Sequence, residues 1–289
     1  MSHTFDRVRV LAAAVLFSTG GTAVKLATLS SWQIASFRSG IAALALWLLI
    51  PAWRRGFSGR TLAVASAYAA TMILYVLANT LTTAANSIFL QNTALLYVVL
   101  LAPRLLGEKN QRADLWVVLL IGTGLLAFFV GSEAPVRTAP DPATGNLVAA
   151  TAGVTWALTL LGMRWLAREP HAPDRDPSGA AIVLGNALAF CVCLPLALPV
   201  VASGAGNWAL DWAVVGYLGL FQIGVAYVAL VGGMRTLRAV EVSLLLMIEP
   251  VLSAFWAWLV HSEIPGPWSL AGCALISMGV LVRALRSET

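Results

Sequence analysis

Long apolar runs separated by short polar breaks make up almost the whole chain. A helix needs about 20 mostly apolar residues to cross a bilayer, and by that rule the sequence predicts ten spans. The breaks carry charges or turn-forming residues, such as Ile264-Pro265-Gly266-Pro267. The spans lie near Val8–Leu29, Trp32–Trp53, Thr61–Thr80, Ala84–Leu106, Ala113–Val130, Asn146–Leu166, Gly179–Val201, Trp208–Val231, Ala239–Val260 and Trp268–Leu285.

The positive charges predict the orientation of these spans. If the N-terminus is cytoplasmic and the spans alternate, all of the 18 Lys and Arg residues except Lys25, Arg38 and Arg137 fall in or beside cytoplasmic segments. Such a bias is typical of multi-pass membrane proteins. We therefore expect an even number of spans, with both termini in the cytoplasm.

The two halves of the chain share a spacing. Glu263 follows Glu108, and Pro250 follows Leu95, at the same offset of 155 positions. Each half has five predicted spans, and because five is odd the second copy must be inverted relative to the first. The predicted architecture is thus an all-α membrane protein of two inverted five-helix repeats, 1–131 and 146–289, joined by an extracytoplasmic linker, 132–145.

Composition supports this class. Hydrophobic residues make up 59% of the chain and charged residues 11%, with a mean hydropathy of +0.83, whereas soluble domains are about 25% charged. The net charge of +5 is explained by the cytoplasmic surplus, so no nucleic acid partner is expected. The cysteines Cys191, Cys193 and Cys273 have no metal-ligand spacing, and we expect neither a metal nor a cofactor. The sequence has no long apolar seam outside the spans that would indicate an oligomer. A monomer in the bilayer is therefore expected.

The pattern of charged residues along the spans resembles that of one protein family. Lys25 ends the first span, Arg38 lies in the second, Glu249-Pro250 lies in the ninth, and Glu108 and Glu263 follow the fourth and ninth. Together with the repeat, these features resemble the EamA-type ten-helix members of the drug/metabolite transporter superfamily. The resemblance extends over nearly the whole chain.

The fourth span narrows the resemblance. It has Leu95 where the family often has proline, and it carries Asn86, Ser87, Gln91 and Asn92. In these features it is similar to the YddG-type aromatic amino acid exporters of the superfamily. The resemblance implies export of aromatic and other neutral amino acids across the bacterial inner membrane.

Polar positions at helical spacing are candidate substrate-binding residues. Tyr75 and Asn79 share one face of the third span, and Ser87 and Gln91 share one face of the fourth, with Asn92 at its edge. Side-chain amides can bind both the carboxylate and the ammonium group of an amino acid. The alternative is hydrogen bonding between helices, which such residues commonly supply in membrane bundles.

The ninth span adds an acidic candidate. The repeat offset brings Glu249 and Ser253 onto the stripe that corresponds to the fourth span. Glu249 could attract an ammonium group or take up a proton during transport, or it could be a packed carboxyl that holds the proline-broken helix to a neighbour. Trp156 and Tyr227 lie mid-span and could form an aromatic wall or pack the bundle.

The remaining candidates are predicted to gate or brace the bundle. Lys25 and Arg38 lie in the outer halves of their spans, where they could attract a carboxylate or extend to the interface, and a structural or outer-gate role is favoured. Pro250 breaks the ninth helix. Glu108 and Glu263 are expected to cap or brace the hairpins that follow them.

Other functions stay open. Within the carrier class, the substrate could instead be a hydrophobic or cationic drug or another small metabolite. A channel is another alternative, and saturable counter-transport would distinguish a carrier from a channel. An enzyme is not expected, because His3, His171 and His261 fall at span ends or in loops and form no paired metal motif.

Overall fold

The computed structural model is all-helical in the part of the chain that it describes, which confirms the predicted all-α class. The two inverted five-helix repeats stay a prediction. It describes residues 2–107, 112–130, 134–167, 175–198, 207–234, 245–246 and 248–286. Outside the helices of those segments, an isolated bridge pairs Val136 with Ala139.

The helices are numbered here in chain order. A 3-10 turn, Pro51–Arg54, follows α3, and a π-helical segment, Leu218–Val225, joins α10 to α11. The bounds are α1 Ser2–Ser18, α2 Gly20–Leu26, α3 Ser31–Leu49, α4 Gly59–Leu81, α5 Ala84–Asn92, α6 Ala94–Leu106, α7 Arg112–Val130, α8 Pro142–Ala167, α9 Pro177–Ala197, α10 Trp208–Tyr217, α11 Ala226–Met234, α12 Ile248–His261 and α13 Pro267–Arg286.

Within the described residues, seven helical stretches are long and apolar enough to cross a membrane. The apolar parts of α7 and α13 are shorter, and of the predicted ninth span the residues 239–244 and 247 lie outside the description. A multi-pass membrane protein is therefore confirmed, whereas the count of ten spans and the orientation of the termini stay predictions. The seven stretches are Thr4–Leu26, Ser31–Leu49, Gly59–Leu81, Ala84–Leu106, Pro142–Ala167, Pro177–Ala197 and Trp208–Gly233.

Polar caps determine where several helices begin. Ser30 and Gln33 form a capping box at the start of α3, and Thr83 accepts a hydrogen bond from the Asn86 backbone N–H at the start of α5. Such caps satisfy N–H groups that have no partner within the helix. Cap residues therefore fix the helix starts, which hydropathy alone leaves uncertain by a few residues.

The eighth helix begins earlier than predicted. α8 starts at Pro142 rather than near Asn146, so the tail of the predicted 132–145 linker is helical. Asp141 accepts a hydrogen bond from the Thr144 backbone N–H at 3.1 Å, and its own N–H donates to Leu81 O at 3.1 Å. Hydrogen bonds from the Thr144 side chain and backbone hold the pKa of the exposed Asp141 carboxyl below its usual value. This cap extends the helix beyond the apolar run.

The helices pack across the two halves of the chain. α4 packs on α8 and α9, α3 on α9, α1 on α11 and α12, α5 on α8 and α12, and α7 on α13. Two glycines permit close approach between these helices. A Cβ at Gly153 would lie 2.9 Å from Leu90 O, and one at Gly185 would lie 2.8 Å from Ala65 O. The core therefore consists of contacts between early and late helices.

Candidate functional site

Three predicted spans lose regular α-helical geometry near their middle. α1 gives way to α2 at Thr19, α5 gives way to α6 at Thr93, and the segment Leu218–Val225 is π-helical. Short π-helical segments are frequent at functional sites. Irregular backbone at membrane depth is tolerated where it is buried in protein or lines a wet cavity, so these breaks indicate where a site should be sought.

Hydroxyl groups accompany two of the breaks. The Thr19 Oγ1 donates to Leu16 O at 2.7 Å, and the Thr93 Oγ1 donates to Leu90 O at 2.6 Å. A threonine hydroxyl that bonds back to the preceding turn often bends a helix. The sequence thus provides a local cause for each break.

The first break presents two glycines to polar side chains. A Cβ at Gly20 would lie 2.6 Å from Tyr75 Oη and 2.8 Å from Gln222 Nε2, and a Cβ at Gly21 would lie 2.5 Å from Asn79 Oδ1. A larger residue at either position would push these side chains away. The glycines therefore permit α2 to lie directly on α4 and the π-helical segment.

The predicted residues of the third and fourth spans come together here. The Asn79 side-chain N–H donates to Tyr75 O at 2.9 Å and to Ser87 Oγ at 2.9 Å. Asn79 is 1% exposed, and its Oδ1 has no hydrogen-bond partner among the described residues. Tyr75, Asn79 and Ser87 thus form one polar group with an acceptor to spare.

A second cluster, of aromatic side chains, surrounds Tyr227. Tyr227 contacts Phe17 and Tyr68 edge-on, with ring centroids 5.2 and 6.0 Å apart. Trp156 packs against the same cluster, and the Asn186 side-chain N–H donates to Tyr68 Oη at 3.1 Å. The two predicted aromatic residues, Trp156 and Tyr227, therefore belong to one wall.

Arg38 lies inside this group and not at the interface. The residue is 1% exposed, which rules out the extension to the interface considered from the sequence. Its Nη2 donates to Met72 O at 2.9 Å, and its guanidinium carbon lies 5.2 Å from the centroid of the Tyr75 ring. Its Nε has no hydrogen-bond partner among the described residues.

Glu249 begins α12 beside the same tyrosines. The residue is partly buried, Pro250 follows it, and Ser253 one turn later is buried. In the described part of the chain its carboxylate has no ion pair or hydrogen bond. Tyr75 and Tyr227 are each within electrostatic range of both Arg38 and Glu249. The tyrosines thus lie near a buried cation and a partly buried carboxyl group.

Gln91 and Asn92 lie at the other break. They end α5 and are partly buried, and a Cβ at Gly153 of α8 would lie 3.2 Å from Gln91 O. The Gln91 Oε1 is buried without a hydrogen-bond partner among the described residues. In that part of the chain no hydrogen bond links either side chain to Tyr75 or Asn79. Their place in the site stays a prediction.

The charges at the end of the bundle that contains Lys25 are paired. Lys25 Nζ lies 2.9 Å from Glu263 Oε1, and both side chains are 3% exposed. The same ammonium group donates to Thr82 O at 2.8 Å and to Thr138 O, and the Ala84 N–H donates to Glu263 Oε2 at 2.9 Å. We call these five residues the Lys25 closure.

Glu263 was predicted to cap or brace the hairpin that follows it. In the structure its carboxylate binds the first N–H of α5, from the other half of the chain. Its position just after α12, which packs on α5, explains the difference. Glu108, predicted to have the equivalent role, lies outside the described residues.

Sequence reasoning missed two polar residues of this region. Gln222 reaches Gly20 from the π-helical segment, and Asn186 donates to Tyr68. Gln222 and Asn186 each stand alone in an apolar run. An isolated amide at membrane depth was the signal available, because such a group needs a partner.

Comparisons with known proteins agree with the expected family. Residues 143–284 match the EamA-like transporter family, which confirms the resemblance for the second half of the chain and favours membrane transport over catalysis. A crystal structure described only as that of a protein superposes on 99% of this chain and 100% of its own length, with a TM-score of 0.63 and 20% identity. That likeness shows the fold alone. No curated protein matches the chain.

Proposed function

We propose that this chain, in which residues 143–284 form an EamA-like transporter domain of a membrane transporter, is a secondary carrier that exports aromatic and other neutral amino acids across the bacterial inner membrane. The observation that carries the proposal is Glu249, a partly buried carboxyl group beside helix breaks and an aromatic wall. In the described residues no protein group neutralises it, so a substrate ammonium group can.

The substrate would use three kinds of contact. Its ammonium group would approach Glu249. The free Oδ1 of Asn79 and the amide of Gln222 would supply hydrogen bonds, and an aromatic or aliphatic side chain would lie against Tyr227 and Trp156. Gln91, Asn92 and Ser253 would extend the path towards α8 and α12.

The helix pairings support transport by two repeats, 1–131 and 146–289, that rock against each other. In the predicted repeat, the third span corresponds to the eighth and the sixth span to the first. The pair of α4 and α8 is therefore equivalent to the pair of α11 and α1, and the helices of both pairs pack together. Inverted repeats commonly provide alternating access around a site at their interface.

The Lys25 closure would be the outer gate. By the positive-inside bias, Lys25 faces the side away from the cytoplasm. Ion pairing there ties α2 to the segment after α12 and to the turn before α5. A cavity of about 330 Å³, bordered by Thr83, Ala139, Ile264 and Pro267, lies at the same end. Opening this closure would release substrate into that vestibule.

Export of a lipophilic drug or another metabolite is the second candidate, because one observation favours it. A cavity of about 400 Å³ lies between α2, α10 and α12, and its exposed lining is almost wholly apolar. Cavities of about 300–1,000 Å³ suit drug-sized ligands. Trp256 and Tyr217 border it, so an apolar cation could stack there.

The test is uptake of a panel of labelled amino acids into proteoliposomes, with and without a pH gradient. Saturable uptake of aromatic or other neutral amino acids supports the exporter, and the effect of the gradient shows whether protons are coupled. A lipophilic cation such as tetraphenylphosphonium is measured beside them. Uptake of that cation with no uptake of any amino acid would replace the proposal with drug export.

A further inference from the structure

We infer that Arg38 binds the carboxylate of the substrate and so makes the carrier select amino acids over amines. The inference rests on the proposed function, and it assigns to Arg38 a binding role in place of the structural or gating one favoured from the sequence.

The donors of Arg38 are largely unused. A guanidinium group has five N–H donors in a fixed fork and stays protonated in proteins. In the described part of the chain the oxygen it reaches is Met72 O, 2.9 Å from Nη2, while the buried Nε has no hydrogen-bond partner. This arrangement leaves one edge of the fork without an oxygen acceptor.

Among the described residues, no acidic side chain compensates the charge of Arg38. Among the described residues Arg38 forms no ion pair, and its neighbours in electrostatic range are Tyr75, Tyr68, Tyr227 and Cys193. A buried cation without a counter-ion is costly because its hydration is lost. At membrane depth such a residue commonly marks a substrate or ion pathway. An anion from outside the protein would supply the missing partner.

The backbone around Arg38 is fixed beside the site. A Cβ at Gly219 of the π-helical segment would lie 2.8 Å from Arg38 O, so α3 and that segment are in close contact at this position. Gln222 of the same segment reaches Gly20. Arg38 is therefore held next to the group formed by the first helix break, Tyr75 and Asn79.

The two unpaired charges suit a zwitterion. Tyr75 and Tyr227 are each within electrostatic range of both Arg38 and Glu249, yet no ion pair joins the two charges in the described residues. A ligand between them can present a carboxylate to Arg38, which favours two parallel hydrogen bonds, and an ammonium group to Glu249. An α-amino acid has both groups; an amine or an amino acid amide lacks the first.

The competing role for Arg38 is structural. Its guanidinium lies over the Tyr75 ring, and a cation–π contact can itself brace two helices. A brace and a ligand-binding group differ in one measurable way. Loss of a brace affects all substrates alike, whereas loss of a carboxylate-binding group affects only substrates that have a carboxylate.

The experiment compares L-phenylalanine, L-phenylalaninamide and phenethylamine in proteoliposomes, at a pH at which all three amines are protonated. We expect the wild-type protein to take up phenylalanine with the lowest half-saturation concentration. Arg38→Gln should raise that value at least about tenfold and leave the values for the other two compounds unchanged. Arg38→Lys should fall between them, because lysine retains the charge without the fork. Arg54→Gln, in the exposed 3-10 turn that follows α3, is the matched control.

Equal half-saturation for phenylalanine in Arg38→Gln and wild type would overturn the inference and leave amino acid export standing. Uptake of phenethylamine without uptake of any amino acid would instead overturn the proposed function. If Arg38→Gln does not fold, the wild-type protein still decides. Phenylalanine should then raise its melting temperature in detergent more than phenylalaninamide does, and equal shifts would overturn the inference.

Discussion

The Lys25 closure and the centre of the bundle treat buried charge in opposite ways. At the closure, Lys25 and Glu263 pair at 2.9 Å, and backbone groups of Thr82 and Ala84 bind both partners. At the centre, Arg38 and Glu249 have no ionic partner among the described residues. Both arrangements place charge where hydration is lost. At the closure the compensating charge comes from the protein itself. At the centre, in this account, it comes from a bound ligand.

This difference separates stability from binding. Removal of one member of a buried pair leaves the other charge uncompensated, so it should destabilise the protein. Removal of a charge that has no protein partner should leave stability unchanged and weaken the binding of the ligand. The variants below are ordered by the size of the effect that this contrast predicts.

Lys25→Met should have the largest effect. It leaves the Glu263 carboxylate buried without its cation, and breaking a buried pair in this way costs about 3–5 kcal/mol. The melting temperature in detergent is the measurement. The double variant Lys25→Met/Glu263→Gln removes both charges and should recover most of the loss. A single variant as stable as wild type would show that the pair does not hold this end closed.

Glu249→Gln should reduce transport about tenfold or more, because a charge-assisted hydrogen bond to the ammonium group is lost. Its melting temperature should not fall, since no described group pairs with the carboxylate. Glu263→Gln is the control for stability. It should lower the melting temperature, because it leaves the buried Lys25 ammonium group without its ionic partner. Wild-type transport rates that do not vary with pH, together with normal transport by Glu249→Gln, would remove Glu249 from the mechanism.

Asn79→Ala should weaken substrate affinity about two- to tenfold, the size expected for one neutral hydrogen bond. Half-saturation of uptake is the measurement. Ser66→Ala is the control, because Ser66 lies on the exposed side of the same helix and its hydroxyl bonds back to Leu62 O. Normal half-saturation in Asn79→Ala would return this residue to helix packing.

Gly20→Ala should have the smallest effect, a moderate fall in transport rate. The added methyl group meets the ends of two long side chains, Tyr75 and Gln222, which can shift at modest cost. Gly59→Ala is the control, since a Cβ there meets nothing within 4 Å. Equal transport rates in the two variants would show that close contact at the first helix break is not needed for the cycle.

Hydropathy was enough to predict the helices but not the closure. The predicted span Ala84–Leu106 matches the observed stretch, because a long apolar run has few other stable forms in a membrane. Lys25 and Glu263 come from opposite ends of the chain, so no local pattern could pair them. The contact of Glu263 with the first N–H of α5 could not be predicted for the same reason.

The centre was predicted in part. The spacing of Tyr75 and Asn79 placed them on one face, and they lie together with Ser87. From its span position Arg38 could have extended to the interface, but packing of α3 on α9 and the π-helical segment buries it and excludes that option. Gln222 was missed because a π-helical segment changes which residues share a face, and periodicity assumes a regular helix.

Counter-transport tests the central claim most directly. Proteoliposomes loaded with unlabelled phenylalanine, or left empty, are given labelled phenylalanine, with Glu249→Gln beside the wild-type protein. The account predicts saturable uptake by the wild type that internal phenylalanine accelerates, and a strong loss of that acceleration in Glu249→Gln. Uptake that does not saturate and does not respond to internal phenylalanine would contradict a carrier with a central amino acid site.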